Sequence, residues 1–386
     1  MKLFVIALLL LQFGPRPALT PAETLLDPEI LRTIERASVE GPAVTLIPGS
    51  EAAAGEVALV CRLNQCEAVQ WAARKLGPAI SAKQIPQPAR TIRVVTAEVA
   101  TPSATTKAAI FVAPSKGRTF QIVRGPWSTA SIGDEVVELF ARQAVSGLDA
   151  RSFEDVGQPP WDPFGIPTTA IVPPADATDL DRASFIAASS AYFLATLPNA
   201  GAEALLSHLT VGAHARLAED GRKAVAQMGN QQRASAEVLI MFGQAIEREQ
   251  RRMRSFERFM PAPVDPMLRS RIADMERSIT SVWTSIGITS SPFVPAAERI
   301  RGRGGEDRRV PSRLGSGRPT PVEPPTAFLK FTNPADIVYE LGNFIDGKRS
   351  ISDIRDAVSA EYGPLPLPSV VDYFDRLAKS GAITIR

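Results

Sequence analysis

Val57-Ala58-Leu59-Val60-Cys61 is five apolar residues in a row, too short for a helix and without a polar face, so it reads as a buried strand. Further strand patterns follow: a β-branched alternation over 91–96, an apolar run over 108–112, and short segments at 119–123 and 167–172. Helical spacing fills the intervals. Ala68, Trp71, Ala72 and Leu76 share one face of 67–76; Val136, Val137, Phe140 and Ala144 recur over 134–145; and 181–197 is amphipathic. Strands alternating with helices predict an α/β fold with a largely parallel sheet. The chain has 386 residues and is 45% hydrophobic, enough for a conventional core in more than one domain. A formal net charge of +2 gives no field that would gather nucleic acid. Two histidines in the whole chain argue against a His-rich metal site.

The remaining segments set the expected organisation. Met1-Lys2 precedes the apolar run Leu3 to Phe13, about 11 residues against the roughly 20 that span a bilayer, and Gly14-Pro15 follows. This reads as a signal peptide over 1–22, with a buried or interfacial helix as the alternative, and predicts an exported protein with no membrane span once the signal is removed. The α/β domain is expected over 23–200 and a helical extension packed on it over 201–289. In that extension the charged run 247–258 reads as a solvated helix face. Residues 290–327, rich in Pro, Gly and Arg, read as a tether; they lack the aromatic interleaving that base stacking needs. Over 328–386, Asn333-Pro334, the Ser350–Asp353 spacing, Gly363-Pro364 and Pro368 punctuate three helices, and 382–385 closes as a strand. That pattern predicts a winged-helix-like module.

Individual residues leave several readings open. Cys61 and Cys66 are spaced for a strand end facing the next helix start, either as a disulfide or as two buried small hydrophobes. His208 and His214, six apart in helical sequence, point about 240° from each other and cannot share one metal through that helix. Asp176, Asp179 and Asp181 suit a helix cap better than a calcium loop. No Gly-rich phosphate loop and no Gly-x-Ser-x-Gly elbow is present.

Several segments, in order, resemble the secreted bacterial zinc aminopeptidases of the M-28 type. They are Leu59-Val60-Cys61, 66–76, Pro88-Ala89-Arg90-Thr91-Ile92-Arg93-Val94-Val95, Thr119 through Ser128, and 181–197. The stretch Asp346-Gly347-Lys348-Arg349-Ser350-Ile351-Ser352-Asp353 with Glu361-Tyr362-Gly363-Pro364 resembles the PqqD-like module that some of these peptidases carry. The resemblance implies a trimmed aminopeptidase-like sheet and, in intact members, two zinc ions that activate water for peptide attack.

The ligand positions implied by the resemblance are depleted. Arg62 and Asn64 stand where the family has His-x-Asp, and only Gln65 separates them from the following helix. Glu98 stands beside Val99 where adjacent acids are expected, and Asp162 is the remaining remnant candidate. A guanidinium has no lone pair for a metal. The resemblance therefore implies a pseudopeptidase without zinc or another cofactor, with a binding or scaffolding role. Arg62, Asn64 and Glu98 are the ligand-binding candidates, and a peptide or protein is the partner. The alternatives are a metallopeptidase with a rearranged site around Glu98 and Asp162 or Asp176, and partner docking through the C-terminal module.

Overall fold

The two continuous apolar runs, 57–61 and 108–112, lie side by side in one sheet. The computed structural model describes residues 44–47, 50–51, 57–61, 66, 68–73, 92–96, 100–101, 107–151, 165–196, 199–228, 236–259, 266–285, 306–315, 319 and 322–386. The expected signal segment lies outside them. The main sheet contains β1 (Val44–Ile47), β3 (Val57–Cys61), β4 (Ile92–Thr96), β6 (Ala108–Val112), β7 (Gln121–Val123), β8 (Asp149–Arg151) and β9 (Thr168–Val172). Its strand order is β1-β4-β3-β6-β9-β7-β8. The first five of these run parallel. β7 is antiparallel to β9, and β8 is parallel to β7. Two short strands, β2 (Ser50–Glu51) and β5 (Ala100–Thr101), pair separately.

Leu59 lies between Val94 on one side and Ile110 on the other, in the middle of the parallel ladder. Every residue of β3 and β6 is buried. Burial on both faces explains why these runs do not alternate with polar residues. On one face Ala58, Val60, Ala109, Phe111, Val123, Ile166 and Ala170 pack as a cluster. Each larger side chain there contributes about 1.5–3 kcal/mol through removal from water. Against the sheet pack α1 (Ile132–Ala144) and α2 (Ala177–Thr196), which also pack on each other.

Local chemistry starts α1 two residues before the sequence spacing predicted. Ser131 and Asp134 form a reciprocal capping box, and the Ile132 N–H donates to Ser255 Oγ at 2.9 Å. Asp134 is buried and accepts from the Gly125 N–H at 3.0 Å and the Thr169 hydroxyl at 2.7 Å. Gly125 is required there, because a Cβ on it would fall 2.4 Å from the Thr168 carbonyl oxygen. Glu138, one turn further on, accepts from Arg124 and Arg142. Burial alone would raise its carboxyl, but these two guanidinium groups hold it below the usual range.

The chain divides into two compact units, residues 1–207 with 255–269, and 208–254 with 270–386. The division falls inside α3 (Asn199–Met228). It groups α4 (Ala236–Arg254) and most of α6 (Pro266–Ser285) with the C-terminal residues, where the sequence reading attaches 201–289 to the α/β domain. The four-residue α5 (Phe256–Phe259) belongs to the first unit, where it packs on α2.

In the second unit, α7 (Pro334–Asn343), α8 (Ile351–Tyr362) and α9 (Leu367–Lys379) pack around Phe328, Ile337, Leu341, Ile354, Val358, Val370 and Phe374. Ser350 and Asp353 form the predicted capping box, and Gly363 ends α8 at φ 100°. Asn333 differs from expectation, since its side chain makes no cap hydrogen bond.

The tether expectation needs correction over 306–313. Pro311–Arg313 forms β10, antiparallel to β11 (Ile383–Ile385). Val310 and Arg386 exchange backbone hydrogen bonds of 2.8 and 3.1 Å, and the Ile351 N–H donates to the Arg309 carbonyl at 3.0 Å. The Asp307 N–H donates to Ser352 Oγ at 2.9 Å, and Arg309 reaches Asp375 at 2.7 Å. These polar residues satisfy their backbone by pairing with distant partners, which composition alone does not reveal.

Candidate functional site

From β3 the chain proceeds to β4 on one side of it, then to β6 on the other. In an open α/β sheet such a reversal leaves a crevice outside the carboxyl ends of the two strands that part there. Here those ends are Cys61 and Val112. The edge beyond β6 is held to the segment after β9. The Ala113 N–H donates to the Ile171 carbonyl and the Ser115 N–H to the Pro173 carbonyl, both at 2.9 Å. The chain then turns through exposed Lys116, Gly117 and Arg118, with Ser115 Oγ accepting from the Gly117 N–H at 3.1 Å.

Cys61 is bonded to Cys66 with their Cα atoms 5.2 Å apart, and both are buried. Of the two readings open in the sequence, the disulfide is the one observed. It ties the carboxyl end of β3 to the start of the helical stretch that carries 68–73. On that stretch Trp71 meets Phe185 of α2 edge-on at 5.1 Å. Arg62, Asn64, Glu98 and Asp162 lie outside the described residues. By sequence, Arg62 and Asn64 are two of the four residues between the bonded cysteines. Lys116 and Arg118 are additions from the structure: nothing in their local sequence distinguishes them, and only the strand order brings their loop to this edge.

Asp176 stands at the start of α2, and its Oδ1 accepts from the Asp179 N–H at 2.8 Å. This hydrogen bond holds the Asp176 carboxyl below the usual range. Partial burial raises Asp179, assisted by its hydrogen bond with Asp176 and that neighbour's charge. Burial also raises Asp181. Asp179 pairs with Arg182 at 2.6 Å. The aspartates thus act as a cap with a local ion pair. His208 is exposed; His214 Nδ1 lies 2.9 Å from the Thr210 carbonyl and Nε2 3.4 Å from Ser278 Oγ, a polar contact between α3 and α6. Among the described residues no three or more His, Cys, Asp or Glu side chains are grouped to hold a metal ion.

The charged run on α4 departs from the solvated face expected for it. Arg248, Glu249 and Arg252 are buried, Glu249 completely. Arg216 of α3 donates to both Glu249 oxygens at 3.1 and 2.8 Å, and Arg252 donates to the same carboxylate at 3.0 and 2.8 Å. Arg248 bridges Glu249 and Asp220. Burial opposes the Glu249 charge, but Arg216, Arg252 and Arg248 hold its carboxyl well below the usual range. These ions join α3 to α4 and are structural in kind, since the carboxylates and guanidinium groups pair with one another.

Among the described residues no helix is long and apolar enough to cross a membrane. No family model, curated protein or solved structure matches the chain.

Proposed function

We propose that this is an exported, non-catalytic protein on an aminopeptidase-like scaffold, and that it binds a peptide or protein segment at the carboxyl edge of its parallel strands. The observation that carries this reading is the Cys61–Cys66 bond at the strand-order reversal. Cys61 ends a strand at the crevice where open α/β sheets bind ligands, and by sequence Arg62 and Asn64 follow it, before Cys66. Structural disulfides are a feature of oxidising compartments, which supports export together with the apolar run behind Met1-Lys2.

The chemistry at this edge suits an anionic group. Arg62 offers a planar fork for a carboxylate, and Lys116 and Arg118 add two exposed cations from the loop after β6. A peptide's terminal carboxylate is the ligand group we assign. The residues at the positions of the first zinc-ligand pair do not fit zinc: a guanidinium has no lone pair to give, and an amide is a weak donor. A rearranged site that recruited Asp176 would also have to break its cap on α2. The three helices α7–α9 with the closing strand β11 support a winged-helix-like reading of 328–386.

The test is Arg62→Glu in the purified full chain, with a fluorescent peptide carrying a free carboxylate as probe. Loss of a charge-assisted hydrogen bond is worth about 1.5–3 kcal/mol, so binding should weaken by roughly tenfold to a hundredfold. Unchanged affinity would remove the assignment.

A further inference from the structure

The two sides of α4 are held by different kinds of contact. On one side Arg248, Glu249 and Arg252 are buried against Arg216 and Asp220 of α3. On the other, α4 packs along α8, and a set of half-exposed groups closes around Phe344. Glu247 accepts from Arg251 at 3.1 Å and from Arg349 at 3.3 Å. Arg349 also donates to Asp346 at 2.5 Å, beside the tight turn at Gly347. The Arg251 and Arg349 guanidinium carbons each lie 5.4 Å from the centroid of the buried Phe344 ring. Both distances are within cation–π range. The side chains of Glu247 and Arg349 remain 40% and 27% exposed, so water and salt screen this pair far more than the Glu249 ions.

Residues 306–386 are stitched together independently of α4. The β10–β11 pair, the Asp307–Ser352 and Arg309–Asp375 bonds and the Ser350–Asp353 cap all lie within that segment. We infer that Glu247, Arg251, Phe344 and Arg349 form a latch that closes residues 306–386 onto α4, and that this module opens at the latch as one cooperative body while α3 and α4 stay joined. The face of α8 is thus occupied by a helix of the same chain, and a partner that docks there must compete with α4. This inference is independent of what the carboxyl edge binds.

The experiment is a double-mutant cycle in the full chain, Glu247→Gln, Arg349→Gln and both together, read by native-state hydrogen exchange. Each single variant should speed exchange across α8 by roughly threefold to fivefold, as expected for loss of a half-exposed ion pair, and leave α3 at its wild-type rate. The double variant should exchange more slowly than the product of the two single effects predicts, because both changes break the Glu247–Arg349 contact. Singles without effect, a double equal to the product of the two singles, or equal acceleration in α3 would each overturn the latch.

Discussion

Cys61 and Cys66 are covalently joined across the carboxyl end of β3, with only four residues of chain between them. A loop this short yields a modest entropic gain on closure, about 2 kcal/mol in the chain-entropy account. The double substitution Cys61→Ala with Cys66→Ala should lower unfolding free energy in urea by that amount. A reducing agent should destabilise the wild type and leave the double variant unchanged. Equal sensitivity of both proteins to reductant would contradict the role given to this bond.

Glu249 is the shared acceptor for three arginines. Glu249→Gln leaves buried cations short of a counter-charge and should cost about 3 kcal/mol in denaturant unfolding. The pH dependence has a definite sign. The folded carboxyl is held below its ordinary value, so its stabilisation is present above the unfolded value of about 4.3 and is lost as pH falls toward the folded one. The stability gap between wild type and Glu249→Gln should therefore be flat from neutral pH to about 5 and narrow below about 4.3. A gap that narrowed on alkaline titration instead would assign the stabilisation to another group.

Gly125→Ala tests the close approach of the loop after β7 to the start of β9. The added methyl meets the Thr168 carbonyl oxygen at 2.4 Å and displaces the backbone N–H that donates to Asp134. A loss of about 2 kcal/mol is expected, the usual scale for forced overpacking. Thermal unfolding would show it as a drop in Tm, and an unshifted midpoint would mean that the loop relaxes without cost.

Five strands of the main sheet were legible in the sequence, two of them because their burial is complete. Val57–Cys61 and Ala108–Val112 declare themselves because both faces are covered and no polar residue interrupts them. The Ser350–Asp353 cap was legible for a local reason, its partners being three residues apart. The start of α1 was missed even though Ser131-x-x-Asp134 carries the same local cue. Burial of Arg248, Glu249 and Arg252 was not legible, because a charged helix face looks the same whether water or Arg216, 33 residues earlier than Glu249, solvates it. β10 was hidden for a related reason. Pro311-Ser312-Arg313 has no hydrophobic period and becomes a strand only through pairing with 383–385. At the candidate site the sequence offered Arg62 and Asn64, but Lys116 and Arg118 join that edge only through the strand order.

The central claim, binding without hydrolysis, is tested most directly by one incubation of purified protein with a peptide bearing a free carboxylate, with bound fraction and peptide mass read on the same sample. The account predicts saturable binding that C-terminal amidation weakens by about tenfold or more, the scale of one charge-assisted hydrogen bond, and a peptide of unchanged mass. Loss of residues from the peptide's amino end, abolished by a zinc chelator and restored by zinc, would contradict it.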